Sequence, residues 1–430
     1  MALQVRQQEQ TSAKTLHFLQ ELLRDYHPRD FEIELWDGNL WPAEAGQFRQ
    51  FTWHIANPAA LRTAFSSGNE MGLAEAYVRG DFDVDGAIER IFPLADFLVE
   101  HLSKAQKLRL GAMLLELPSD SHAHLPVRGG NKLHGRRHSR GRDRSAIHYH
   151  YDVSNDFYRL WLDKNMAYSC AYFKTPKDGL DEAQVQKFDH ICRKLRLQPG
   201  EQFLDIGCGW GGLILHAARN YGVQARGITL SEQQLALARE RIKQEGLADR
   251  CEATLTDYRD VGEAGSFDKI ASVGMVEHVG EANLKEYFAC AYKLLRSQGV
   301  FLNHGIGVPE SRRVSPSPNF CDTYVFPDGE LVPIGTMTRY AEESGFEVRD
   351  VENLREHYAL TLGHWVRNMR DREKAVRQAV DDTTYRIWKL QMAGSAHYFK
   401  TGKLDLYQTL LVKSANGQSG MALTREDWYR

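Results

Sequence analysis

The sequence predicts an α/β fold over residues 147–430, a doubly wound and mostly parallel sheet, with a smaller α/β or helical domain before it. Three observations predict this. Phe203–Gly212 reads FLDIGCGWGG: an apolar run, one acid, then glycines at 207, 209, 211 and 212. Such a run suits a buried parallel strand, and the glycines let the backbone turn tightly where a side chain would intrude on a ligand. The following LILHAARNYG has helical spacing, so the turn opens a helix N-terminus and makes a nucleotide-binding corner. Beyond it the apolar stretches QARGITL, CEATLTD, FDKIASVGM and GVFLNHGIG recur with a helical segment between each, the pattern of a sheet covered on both faces.

In chain order, residues 1–117 alternate apolar stretches with turn signals: FEIELWDGN, FTWHIANP, and then LAEAYVRGDFDVDG, which reads as helical. This zone closes in an amphipathic run from Ile88 to Leu117, with Leu108, Met113, Leu114, Leu115 and Leu117 available for one face. Packing within its own domain is the plain reading of that face; a dimer or membrane contact is the functional one. Residues 118–146 change character to a basic, Gly-, Ser- and His-rich flexible linker. There Arg128, Lys132, Arg136, Arg137, Arg140, Arg142 and Arg144 oppose only Asp120 and Asp143. A solvated tether is one reading. An electrostatic latch onto anionic headgroups is the other, with each basic residue near the surface contributing about 1 kcal/mol. The irregular histidine spacing does not suit a metal site. From Ile147 strand and helix alternate, the insertion VPESRRVSPSPNF interrupts the pattern past Gly307, and LYQTLLVKS is the last strand candidate.

Composition excludes several classes. With 42% hydrophobic residues and a formal charge of −3, the chain has no cationic excess to suggest nucleic acid. Its six cysteines form no CxxC pair, so reduced thiols are expected rather than a disulfide framework or a zinc site. MALQVRQQEQTSAK lacks the apolar core of a signal peptide, and no run reaches the roughly 18 apolar residues that would span a bilayer.

Which nucleotide the corner binds depends on its neighbours. Gly207, Gly209 and Gly212 satisfy GxGxxG, the dinucleotide pattern. That reading needs an acid at the end of the second strand to hold the ribose, and here ARGITL ends in Thr229-Leu230-Ser231. Glu232 lies in the following helix start, where a first-turn acid is ordinary capping. Asp205 instead stands on the first strand, two residues before the first glycine, an arrangement that suits class I methyltransferases and S-adenosylmethionine.

The motifs HYHYDVSNDFYRLWLDKNMAYSCAYF (148–173), LDIGCGWGG, GITLSEQQ, TDYRD, VGMVEHVG and FLNHGIG follow one another in an order that resembles the cyclopropane fatty acid synthases. The resemblance extends to mycolic acid cyclopropane synthases and related fatty-acyl methyltransferases. It covers 147–430 and, through GLAEAYVRGDFDVDG, the auxiliary domain at 1–117. It implies a class I methyltransferase (Rossmann-like) sheet with helical lid elements, and S-adenosylmethionine as methyl donor. Donor contacts are implied at Tyr168 and Ser169, at Asp205, Gly207, Cys208, Gly209 and Gly211 of the turn, at Thr229, Leu230, Ser231 and Gln234, and at Asp257 and Tyr258. Packed aromatics would equally explain Tyr168 and Tyr258.

An unactivated alkene that takes up a methyl group becomes a carbocation, and ring closure then requires a base in a cavity that excludes water. The resemblance implies that this base is a bicarbonate ion held by Glu277, His304, the backbone at Cys170 and Ile306, and Tyr358. His304 and Tyr358 can donate to an oxyanion, and Glu277 can accept its proton. Tyr172, Phe173, Tyr324 and Trp365 are aromatic candidates for stabilising the cation. Several family members carry a cysteine where this chain has Ser395, so no nucleophilic cysteine is available there.

The function implied is transfer of a methylene group to the cis double bond of an unsaturated phospholipid acyl chain, forming a cyclopropane. The alternative is the same transfer ending in a methylene- or methyl-branched chain. A third reading, from another class, is an inactive lipid-binding module with a retained donor pocket. The partners implied are a bilayer phospholipid and an anionic membrane surface, without nucleic acid, with a homodimer allowed. The location implied is cytoplasmic, peripheral on the inner face of the membrane.

Overall fold

The computed structural model describes residues 2–119, 134–151, 153–312 and 319–429. The chain forms two compact units, 1–130 with 381–394 and 131–380 with 395–430. Residues 381–394, which the sequence reading places in the catalytic domain, therefore pack with the first unit.

The first unit holds helix α1 (Ala2–Leu22), strands β1 (Glu32–Glu34), β2 (Leu40–Trp41) and β3 (Phe51–Ile55), helices α2 (Ala60–Ser66) and α3 (Glu70–Arg79), strand β4 (Phe82–Gly86), and helices α4 (Ile91–Glu100) and α5 (Lys104–Leu115). Its sheet has the order β2-β1-β3-β4, with Phe31 stacked on Phe51 at 4.7 Å in the core. Two expectations are corrected here. The helix expected through LAEAYVRGDFDVDG stops at Gly80, whose φ of 79° is left-handed, and DFDVDG becomes β4. Phe82 and Val84 are buried on alternate positions, so the period-2 pattern prevails there. The single apolar face expected along 88–117 is split, because α4 ends at Glu100 and a capping box at Ser103 and Gln106 starts α5 afresh. Leu110 and Leu117 then point inward, while Leu108 and Leu115 are 78% and 69% exposed. Arg386 ties 381–394 to this unit, donating to Asp83 Oδ2 at 2.6 Å and to the Tyr77 carbonyl at 3.1 Å.

The second unit begins with α6 (Arg140–Tyr151), α7 (Asn155–Arg159) and α8 (Leu180–Leu195). The alternating part follows: β5 (Gln202–Ile206), α9 (Gly212–Tyr221), β6 (Gln224–Thr229), α10 (Glu232–Gln244), β7 (Cys251–Leu255), β8 (Phe267–Val273), α11 (Leu284–Leu294) and β9 (Leu295–Gly307). It closes with α12 (Phe320–Tyr324), α13 (Ile334–Glu343), β10 (Glu347–Asn353), α14 (Arg355–Asp371), α15 (Glu373–Ala379), α16 (Asp382–Thr401), which is shared with the first unit, and β11 (Asp405–Val412). The seven strands have the order β10-β11-β9-β8-β5-β6-β7. β5 to β9 pair in parallel, and β11 runs antiparallel to both neighbours.

Alternation along the strands sorts side chains between two cores. Phe203, Val300, Leu302, Leu410 and Val412 join the cluster containing the α8 residues Phe188, Ile191 and Leu195. Leu204, Phe301 and Leu411 join the cluster of α11 and α13. The same alternation turns Asp205, His304 and Gln408 toward α8. That face carries the site.

Of the expected linker, residues 120–133, with Arg128 and Lys132, lie outside the described residues. The remainder is not a bare tether. Arg140–Tyr151 is helical, Arg142 donates to both Asp328 oxygens at 2.5 and 2.8 Å, and Arg140 donates to Asp260 at 2.9 Å. Arg137 lies 3.7 Å from Asp328. Among the described residues, no helix is long and apolar enough to cross a membrane.

Candidate active site

β5 delivers the chain to a turn in which Gly207, Gly209 and Gly211 have φ of 82°, 54° and 85°, a region that L side chains rarely adopt. This turn floors a cavity of about 1150 Å³, open mouth included. Of the residues expected to bind the donor, Tyr168, Ser169, Asp205, Gly207, Cys208, Gly209, Thr229, Leu230, Gln234, Asp257 and Tyr258 line it. Gly211 and Ser231 do not. Gly211 precedes α9, where a Cβ would come within 3.3 Å of Ala238. Ser231 is buried as the N-cap of α10, its Oγ accepting from Gln234 N at 3.3 Å. Ser231→Ala should therefore cost about 1 kcal/mol in denaturant unfolding and leave ligand affinity within about twofold, a factor worth under 1 kcal/mol. A large affinity loss at unchanged stability would restore Ser231 as a ligand.

The cavity is electrostatically divided. On one wall Asp205 is buried, its Oδ1 has no hydrogen-bond partner, and burial pushes its carboxyl up to about 7 against the pull of Lys187. Lys187 extends from α8 into the same wall and donates to Ser169 Oγ at 2.8 Å; burial draws its ammonium down to about 8. Gln184, one turn earlier, donates to the carbonyls of Ala167 and Ser169 at 3.1 and 2.9 Å. α8 thus fixes the backbone carrying Tyr168 and Ser169. Elsewhere in the lining Arg259 grips both Asp257 oxygens at 2.8 and 2.7 Å and reaches Asp143 at 3.1 Å. Burial alone would raise the Asp257 carboxyl, but those bonds hold it below its ordinary value.

A second constellation lies at the end of β9. Glu277 sits in a single 3-10 turn, Val276–His278, and its Oε1 accepts from Ile306 N at 2.7 Å. The backbone N–H of Ile306, an expected ligand of the ion, thus orients Glu277. Glu277 Oε2 and His304 Nε2 are both buried without a hydrogen-bond partner. Burial raises the Glu277 carboxyl to about 7 and holds His304 neutral, its imidazole drawn down to about 3. Gln408 Nε2 lies 3.2 Å from His304 Nδ1; the amide N–H donates to that nitrogen, so the ring proton sits on Nε2. A neutral donor and a near-neutral carboxyl suit a small oxyanion.

The other two expected members, Cys170 and Tyr358, are both held at α14. Cys170 is buried, its thiol pushed well above the ordinary range by burial, with Sγ 3.9 Å from the Leu354 carbonyl that precedes α14. Ala171 N donates to Thr361 of α14 at 3.0 Å. Tyr358 occupies the first turn of α14, its ring edge-on to Trp365 at 6.0 Å and packed on Phe399 at 4.6 Å. Among the cation candidates, Trp365 meets Tyr168 at 5.3 Å, Tyr172 stacks between His190 and His357 at 4.2 and 4.8 Å, and Phe173 stacks on His364 at 5.6 Å. Tyr324 is in α12, its carbonyl accepting from Tyr149 at 3.2 Å. The described residues hold no group of three or more His, Cys, Asp or Glu that could bind a metal.

Sequence reasoning missed Lys187, Gln408 and the buried cluster next to them. Across the sheet Glu352, Gln408 and His304 stand in one register row. Glu352 accepts from Lys194 at 2.5 Å and pairs with His190 at 2.8 Å. These bonds outweigh burial and keep its carboxyl near 2. The signal was present in α8: Gln184, Lys187, Ile191 and Lys194 share the helical spacing of its apolar face.

Residues 138–409 match the family model of mycolic acid cyclopropane synthetase. The chain is 42% identical over 405 residues to a "probable fatty acid methyltransferase" of Pseudomonas putida, covering 93% of this chain and 96% of that protein. It is 32% identical over 378 residues to the cyclopropane-fatty-acyl-phospholipid synthase of Escherichia coli K12, covering 86% and 90%. The solved structure of the mycolic acid cyclopropane synthase CmaA1 with SAH and CTAB aligns at a TM-score of 0.59 and 32% identity, over 62% of this chain and 97% of that one. The cyclopropane synthase MmaA2 from Mycobacterium tuberculosis aligns at 0.59 and 31%, with the same coverage.

Proposed function

Because the chain belongs to the mycolic acid cyclopropane synthetase family, we propose that it transfers a methyl carbon from S-adenosylmethionine to the cis double bond of a phospholipid acyl chain and closes a cyclopropane. The single observation that carries this reading is the pairing of two sites on one sheet face, the glycine-floored cavity at Asp205 and the oxyanion-suited pair Glu277 and His304. The cavity fits the donor: Gly207 and Gly209 keep the backbone bare, Asp205 Oδ1 awaits a cation, and Tyr258 offers an apolar ring. The donor supplies an electrophilic methyl group. Everything else falls to the protein.

A cation on the acyl chain would be captured by water, so the surroundings must be dry. The interlocked Tyr158, Trp161, Tyr168 and Trp365, with centroid spacings of 5.3 to 5.7 Å, supply an aromatic wall beside the cavity. Ring closure needs a base, and the residues present fit bicarbonate: His304 Nε2–H would donate to it and Glu277 Oε2 would accept its proton, and the ion would supply the base. A bilayer phospholipid as acceptor, with peripheral membrane association, belongs to the same proposal. Among the described basic residues of the former linker segment, Arg136, Arg140 and Arg144 are exposed.

A second reading has a specific observation in its favour, the name of the Pseudomonas putida relative. In that reading the ring does not close: loss of a proton from the acyl chain leaves a methyl-branched alkene, and a hydride shift followed by loss of a proton from the new methyl leaves an exocyclic methylene. Transfer from S-adenosylmethionine carrying a ¹³C methyl, followed by NMR of the released fatty acid, separates the two. The proposal expects the label in a ring methylene; label in a methyl or exocyclic methylene group would replace it with the second reading.

A further inference from the structure

We infer that Lys187 is a binding residue for the donor, the counter-charge for the carboxylate of its amino-acid end. The inference rests on the reading of the cavity as an S-adenosylmethionine site and goes beyond it by assigning a residue and a ligand group. On the wall beside the glycine turn, Lys187 and Asp205 are both buried and both line the cavity. Asp205 Oδ1 has no partner, and Lys187 Nζ meets the neutral hydroxyl of Ser169 at 2.8 Å. The other lining cation, Arg259, is already neutralised by Asp257 and Asp143. A carboxylate and an ammonium that line one desolvated cavity are complementary to a zwitterion: Asp205 to its ammonium, Lys187 to its carboxylate. Burial pushes both groups toward neutrality, and a bound zwitterion would supply the charges that hold both ionised.

Geometry supports the assignment. Lys187 leaves α8 one turn after Gln184, whose amide holds the carbonyls of Ala167 and Ser169. Ser169 Oγ and Lys187 Nζ therefore form one rigid donor pair at the cavity wall, and a hydroxyl with an ammonium is a fitting cradle for a carboxylate.

Isothermal titration with S-adenosylhomocysteine and with its decarboxylated counterpart tests this on the wild-type protein. The parent compound is expected to bind at least tenfold more tightly than the decarboxylated one. Lys187→Met and Lys187→Gln, the latter keeping a hydrogen bond to Ser169, are expected to lose that preference, binding the two compounds within threefold of each other. Equal affinity of the two compounds for the wild type overturns the inference, as does a full preference retained in either variant. If the wild type binds neither compound, the donor reading itself fails, a distinct outcome. A variant that does not fold leaves the wild-type comparison standing as the test.

Discussion

Glu277→Gln is expected to lower turnover about a thousandfold, the scale of a lost general acid–base group, while S-adenosylhomocysteine binds as before. Glutamine keeps the acceptor that Ile306 N uses and removes only the ionisable oxygen, Oε2. The pH dependence has a defined sign. Burial raises the Glu277 carboxyl from its ordinary 4.5 to about 7. Between those two values the unfolded chain releases this proton before the folded one does, so this residue's contribution to stability falls as pH rises through that window and stays low above it. The glutamine variant escapes that loss, and above pH 7 it should be no less stable than the wild type. Turnover of the wild type should rise with pH through the neutral range as Glu277 becomes able to accept a proton, and the variant should lack this limb. Parallel loss of stability and of donor binding would mark Glu277 as structural instead.

Gly305→Ala should be nearly as damaging for a reason of space. A Cβ at Gly305 would sit 2.3 Å from Val276 Cγ1, in the 3-10 turn that carries Glu277. The bare glycine lets that turn lie against β9 so that Oε1 reaches Ile306 N. Overpacking of this kind costs about 1–3 kcal/mol, and a 1 Å misplacement of a catalytic group costs about a hundredfold in rate. Denaturant unfolding and turnover measure the two effects separately. Val276→Ala in the same chain removes the clashing methyl and should recover part of both. Wild-type turnover in the single variant would mean that the approach of the turn to β9 does not matter.

How far the site can be read from sequence depends on how local the signal is. The β5 strand and its glycine turn are legible because burial, acid and backbone freedom are written into ten consecutive residues, Phe203–Gly212. Edge strand β10 is not: EVRDVEN is largely polar and earns its place by pairing with β11. β4 hides in a segment that starts as a helix, and only the alternation of Phe82 and Val84 betrays it. Ser231 and Gly211 carry residue types suited to ligand contact, yet a cap and a close helix approach use them first. Lys187 and Gln408 are silent for the opposite reason. A lysine in a helix reads as a solvated side chain, and only assembly of α8 over β5, β9 and β11 reveals it buried on Ser169, with Gln408 on His304.

The register row Glu352, Gln408 and His304 shows how a buried polar group becomes usable. Glu352 is held by Lys194 and His190, and Gln408 spends its amide N–H on His304. His304 is left with one tautomer and one direction for its remaining proton. Such preorganisation is what a base-assisted ring closure in a dry cavity requires.

Transfer of a methyl carbon to an unsaturated acyl chain can be followed by incubating the full chain with vesicles of cis-unsaturated phospholipid and isotope-labelled S-adenosylmethionine, then weighing the acyl chains by mass spectrometry. Acyl chains with a cis double bond are expected to gain one labelled CH2 unit, and saturated chains none. No labelled gain on any cis-unsaturated lipid would contradict such transfer.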